Sequence, residues 1–183
     1  ARRNGTLAEV QAALGARVVQ EFAGIEANPT YETLMRAVEQ VRREKIDFLL
    51  AVGGGSVIDG TKFVAAAVPF AGDPWQIMLS HGAGVQRALP LASVLTLPAT
   101  GSEMNCGSVV TRHETKAKLA FITPHVYPFF SILDPTKTYT LPARQIANGI
   151  VDAYVHIVEQ YLTYPVGAQV QDRFAESLLQ TLI

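Results

Sequence analysis

Apolar positions divide the chain into a front part that alternates strand and helix and a back part that is helical throughout. Leu7, Val10 and Leu14 fall on one face of a helix over residues 6–14. Residues 17–22 read as a strand centred on Val18 and Val19, and a loop from Gly24 leads to Thr30 as a helix N-cap. Leu34, Ala37, Val38 and Val41 then repeat at helical spacing over residues 31–44. The five apolar residues 48–52 have no polar interruption, which is the pattern of a strand covered on both faces of a parallel sheet. Gly53, Gly54 and Gly55 follow, and a helix starts with Ser56 as N-cap and Asp59 at capping-box spacing. It continues through Lys62, Phe63 and Ala65 to Ala67.

Farther on, residues 72–79 predict a short helix and 80–84 a surface loop. Residues 90–97 and 129–133 predict further buried strands, the second stopped by Asp134 and Pro135. Residues 109–112 and 119–122 predict an antiparallel pair around the polar tip from His113 to Lys116. Pro142 suits the first turn of a helix, and two helices, 143–161 and 168–183, complete the chain. The fold class is therefore α/β: a Rossmann-like parallel sheet with flanking helices and right-handed crossovers, followed by the start of an all-helical domain. A boundary near residue 141 separates 1–141 from 142–183.

With 49% apolar and 17% charged residues, the 183-residue chain can bury a core. Fifteen basic residues against sixteen acidic ones, with no basic patch, argue against nucleic acid as a partner. No polybasic run and no apolar run near the roughly 20 residues of a membrane span argue against a bilayer. A single cysteine, Cys106, cannot form an internal disulfide and fits a reducing, cytoplasmic setting. The first residues, Ala1 to Asn4, have no hydrophobic stretch behind them, so no signal peptide is expected, and the last residues fall inside an amphipathic helix. Both ends suggest a part of a longer protein.

Three places could carry chemistry. A strand, a glycine turn and a helix start form either a phosphate cradle, in which free backbone N–H groups meet an anion, or a plain strand-to-helix passage. The G-x-G-x-x-G fingerprint is absent, and the Asp59 carboxylate opposes an anion directly on the turn. Thr96, Thr100 and Ser102 follow a buried strand, where ligands lie in open α/β sheets, or where hydroxyls simply cap a turn. Asp152 and His156, four apart on a helix, are either two ligands of one metal or an ordinary ion pair. Lys118 reaches a phosphate or ribose, or is solvated. His81, His113 and His125 have no mutual metal-site spacing.

The order Gly53-Gly54-Gly55-Ser56-x-x-Asp59, Thr96-x-x-x-Thr100-Gly101-Ser102-Glu103, Leu133-Asp134-Pro135 and Asn148-Gly149-x-x-Asp152-x-x-x-His156-x-x-Glu159 resembles the iron-containing (group III) alcohol dehydrogenase family. The wording is nearest its NADPH-dependent aldehyde reductase and butanol dehydrogenase branch. The segments 24–34 and 171–176 point the same way. The resemblance implies a dinucleotide domain followed by a helical metal domain, with Fe²⁺ or Zn²⁺ in the cleft, and NADP (or NAD) moving hydride to or from a primary alcohol or aldehyde. It implies that Gly54, Gly55 and Ser56 line the pyrophosphate and nicotinamide side, with Asp59 among the cofactor residues. Asn28 would lie near the adenosine half, Thr96, Thr100 and Asn105 around nicotinamide, and Lys118 on its ribose. Asp152 and His156 would be the catalytic metal's first two ligands, with two further histidines on later helices. A first strand and its turn, which choose NAD or NADP, would precede Ala1. The alternatives are a catalytically incomplete nucleotide-binding or assembly module, and a glycerol dehydrogenase-like enzyme of the same superfold. A homo-oligomer is expected from the apolar helical faces.

Overall fold

The computed structural model describes residues 1–17, 19–163 and 165–183. Its centre is a parallel sheet of β1 (Leu49–Gly54), β2 (Leu91–Leu97) and β5 (Ser131–Ile132), in the order β1-β2-β5. β1 and β2 run in register from Leu49 opposite Leu91 to Gly53 opposite Leu95. The register then shifts and Gly54 pairs with Leu97, so Thr96 has no partner. This bulge sits at the C-terminal end of the strands, beside the glycine turn, where a bulge re-aims a side chain.

Helix α1 (Thr6–Leu14) leads the chain, and α2 (Tyr31–Glu44) and α3 (Gly55–Ala67) pack near the sheet. α2 starts where expected because the Thr30 hydroxyl accepts the Thr33 N–H at 3.4 Å. Its apolar stripe, Leu34, Ala37, Val38 and Val41, enters one core with Phe63 to Ala67 of α3 and with α4 (Trp75–Leu79). The antiparallel hairpin β3 (Gly107–Arg112) and β4 (Ala117–Ile122) closes that core with Val110 and Phe121. The Arg112 guanidinium lies 5.1 Å from the Tyr31 ring centre and 5.4 Å from that of Trp75, tying hairpin to α2 and α4. Helices α5 (Ala143–Thr163) and α6 (Gln169–Leu182) follow and pack on each other, and neither buries a residue completely. Among the described residues no helix is long and apolar enough to cross a membrane.

Most elements stand where periodicity places them, with three differences. No strand forms over residues 19–22. Val18 lies outside the described residues, Val19 is exposed, and the Glu21 carbonyl is met by the Gln40 side chain rather than by a strand. Residues 129–133 reduce to a two-residue strand at the sheet edge, where Ser131 and Ile132 pair with Ser93 and Val94, and Phe129 is 77% and Leu133 55% exposed. α3 begins at Gly55 with Gly54 as a cap lacking a side-chain bond, so Ser56 and Asp59 form no capping box. Their oxygens have other partners. The break between α5 and α6 falls at the expected place, with Tyr164 outside the described residues.

Candidate functional site

The glycines of the turn are required by crowding, since none of Gly53, Gly54 and Gly55 adopts a positive φ. A Cβ on Gly55 would stand 2.6 Å from the Thr100 hydroxyl, and one on Gly54 would stand 3.2 Å from Leu97 Cβ. The loop after β2 therefore lies directly on the start of α3, and Thr100 touches the turn. Bare backbone N–H groups at this helix start, without a side-chain cap, can receive an anion.

Three side chains from distant segments meet beside the turn. Asn28, in the left-handed region at φ 57°, donates its backbone N–H to the Ser56 hydroxyl at 3.3 Å. The Lys118 ammonium donates to Asn28 Oδ1 at 2.8 Å. Local structure explains the meeting. Thr111, opposite Lys118 in the hairpin, donates its N–H to the Pro29 carbonyl at 2.9 Å, and the His113 N–H is held by Glu32. The hairpin thus draws the Asn28 loop against Lys118. The bond brings Asn28 and Lys118 together beside Ser56.

Asp59 is turned away from the turn. Its Oδ1 accepts the Ser102 hydroxyl at 2.6 Å and its Oδ2 the Val109 N–H at 3.0 Å. Each oxygen accepts a bond from the protein, so Asp59 braces the loop. Burial raises its pKa against the bonds from Ser102 and Val109. Lys62, one turn on, is fully buried and donates to Ser102 Oγ at 3.0 Å, Asn105 Oδ1 at 2.9 Å and the Gly107 carbonyl at 2.9 Å. Desolvation lowers its pKa to about 8, opposed by the nearby Asp59, Cys106 and Glu103. Sequence reading passed over Lys62. Its signal was a lone cation amid Phe63, Val64 and three alanines, where a lysine is fully buried only with partners.

Asp152 and His156 lie on α5 with His156 Nε2 3.8 Å from Asp152 Oδ2, and their side chains are 43% and 53% exposed. Two ligands at about 2.0–2.2 Å from one tetrahedral ion stand roughly 3.4 Å apart, so the pair fits a shared divalent metal after a small rotamer change. Among the described residues no third His, Cys, Asp or Glu joins them. α5 meets the cofactor side at Gly149, where a Cβ would stand 3.0 Å from the Pro98 carbonyl. Asp152 shares an open depression with Ala147, Asn148, Val151 and Val155.

The model of the iron-containing alcohol dehydrogenases matches residues 1–135. The chain belongs to the iron-containing alcohol dehydrogenase family. It is 58% identical over its whole length to the NADPH-dependent aldehyde reductase YqhD of Escherichia coli, of which it covers 48%. It is 49% identical over 90% of its length to the probable NADH-dependent butanol dehydrogenase 1 of Bacillus subtilis, of which it covers 42%. The crystal structure of Escherichia coli YqhD superposes with a TM-score of 0.97 at 57% identity, over 99% of this chain and 47% of that one. An NADH-dependent butanol dehydrogenase A of Thermotoga maritima superposes at 0.93 with 36% identity, over 99% of this chain and 46% of that one. The chain spans about half the length of the curated relatives it matches. For this iron-containing alcohol dehydrogenase chain, the family model covers the glycine turn, Asn28, Asn105 and Lys118, while Asp152 and His156 lie beyond it.

Proposed function

We propose that this chain supplies the dinucleotide site and two metal ligands of an NADP(H)-dependent alcohol dehydrogenase or aldehyde reductase. Residues 1–141 form the dinucleotide-binding domain, and 142–183 the first helices of the metal-binding domain. The observation that carries the reading is the convergence of Asn28, Ser56 and Lys118 on an uncapped, glycine-lined helix start at the carboxyl end of parallel strands. A bound nicotinamide would supply hydride chemistry at the substrate carbon, and Fe²⁺ or Zn²⁺ held by Asp152 and His156 would supply polarisation of the substrate oxygen. The chain's own residues do the positioning. Gly54 and Gly55 admit a pyrophosphate to the α3 amides, and Ser56 and Lys118 offer hydroxyl and ammonium beside it. Thr96, Thr100 and Asn105 border the nicotinamide end, and Asp152 with His156 would hold the metal. NADP is favoured over NAD by the likeness to an NADPH-dependent relative. The cytoplasm suits Cys106, and self-association suits exposed apolar residues of α5 and α6 such as Val151, Val155 and Phe174.

Fluorescence titration of the purified 183-residue chain with NADPH tests the reading. Saturable binding, weakened about tenfold or more in Lys118→Ala through loss of a charged hydrogen bond, is expected. Binding indifferent to Lys118, or none at millimolar NADPH, overturns it. Two ligands from one helix also predict weak metal retention by this chain, which metal analysis after dialysis measures. The half-built shell favours a second reading, a nucleotide-binding module that is not catalytic by itself. Metal-dependent NADPH consumption by the 183-residue chain excludes that reading.

A further inference from the structure

Lys62 is a buried cation used by nothing in the proposed chemistry. An ammonium has three N–H donors, and all three are spent, on Ser102 Oγ, Asn105 Oδ1 and the Gly107 carbonyl. It makes no direct ion pair with Asp59. The Ser102 hydroxyl stands between them, accepting from Lys62 and donating to Asp59. Burying both charges is unfavourable by itself, so the network is poorly explained as a stabilising device. Its geometry has a specific consequence at one side chain.

Asn105 Oδ1 receives two donors, Lys62 Nζ and the Gly107 N–H, each at 2.9 Å. The reverse amide orientation would aim Nδ2 hydrogens at two other donors, so the carbonyl must face inward. Asn105 is nevertheless exposed, and its Nδ2 makes no hydrogen bond among the described residues. The loop carrying it is fixed from both sides: Ser102 and Val109 bond the Asp59 carboxylate, and Ser108 donates to the Asp59 carbonyl at 2.8 Å.

We propose that Lys62 is a positioning residue for the dinucleotide, locking the Asn105 amide with its oxygen inward so that the Nδ2 donor is presented to an acceptor oxygen of the bound cofactor. The inference rests on the dinucleotide-site reading above and adds to it a residue that acts through another. Asn105 makes the contact; Lys62 decides which end of the amide is offered.

Asn105→Asp separates this role from simple bracing. The aspartate keeps an oxygen for Lys62 and for the Gly107 N–H, so the loop stays anchored, but it removes the outward donor. Thermal unfolding and NADPH affinity are measured for the wild type, Asn105→Asp, Asn105→Ala, Lys62→Met and the Lys62→Met/Asn105→Ala pair. The expected result is that Asn105→Asp melts at or above the wild-type temperature yet binds NADPH about tenfold or more weakly. Lys62→Met weakens binding similarly, and the double variant is no weaker than the poorer single one, because both changes remove the same donor. In ¹⁵N spectra the Asn105 side-chain amide shifts on addition of NADPH in the wild type and not in Lys62→Met. Asn105→Asp binding like the wild type, or losses that add in the double variant, overturn the inference alone. A wild-type chain that binds no NADPH overturns the dinucleotide-site reading and this inference with it.

Discussion

Gly55 shows how one missing atom shapes the site. Its backbone conformation is open to any residue, and its only special property is the space it leaves for the Thr100 hydroxyl, 2.6 Å from the absent Cβ. Gly55→Ala should therefore destabilise by about 1–3 kcal/mol through overpacking. Thr100→Ala in the same chain removes the clashing oxygen and leaves the Thr100 Cβ at an ordinary 3.6 Å. The double variant is expected to recover more than half of the loss in thermal unfolding. Equal melting of the two Gly55→Ala chains would contradict the contact. The glycine triplet was visible in the sequence, but its reason was not, because crowding by Thr100 depends on a loop 45 positions away. Ser56 and Asp59 teach the same lesson. Their spacing reads as a capping box, yet Ser56 serves Asn28, and Asp59 serves Ser102 and Val109. Local chemistry had two uses for these oxygens, and tertiary contacts selected the second.

At the scale of elements, α5 is the helix whose placement decides whether a carboxylate and an imidazole can serve the cofactor side. Its approach is set at Gly149, against the Pro98 carbonyl. A Cβ there would stand at 3.0 Å, a gap that a loop carbonyl can relax by tenths of an ångström. Alanine also favours the helix by about 0.5–1 kcal/mol relative to glycine, so Gly149→Ala sets two opposing effects against each other. Gly149→Val adds branches that cannot be absorbed in this way. It should lift the helix and raise hydrogen exchange in residues 98–102 and in the first half of α5, while β1 and β2 keep their protection. Unchanged exchange in both segments would show that this contact does not dock the helix. Long amphipathic helices such as α2, α5 and α6 were legible because their period repeats over many turns. The edge strand β5 was expected, but its short length and its exposure were not. Phe129, Phe130 and Leu133 look like core residues by composition but lie exposed beside a two-residue pairing. Hydrophobicity alone does not say on which side a strand has neighbours.

For the molecule as a whole, order along the sequence carried the family and the α/β class, since the glycine turn, the Thr96–Glu103 loop and the Asp152/His156 helix occur in one succession. What order could not convey was depth. The setting of Lys62 among apolar residues hints at burial, but its three acceptors, brought from residues 102, 105 and 107, close around it only in the fold. Likewise Asn28 and Lys118 are 90 positions apart and meet only because the hairpin seats on the loop before α2. The central claim is that the dinucleotide lies on the α3 N-terminus between Asn28, Ser56 and Lys118. It is tested most directly by titrating NADP⁺ into the ¹⁵N-labelled 183-residue chain. The expected result is a saturable set of shifts concentrated at the amides of Gly54 to Val57, at Asn28 and along β4 near Lys118. Shifts confined to α5 and α6, or scattered without saturation, would contradict it.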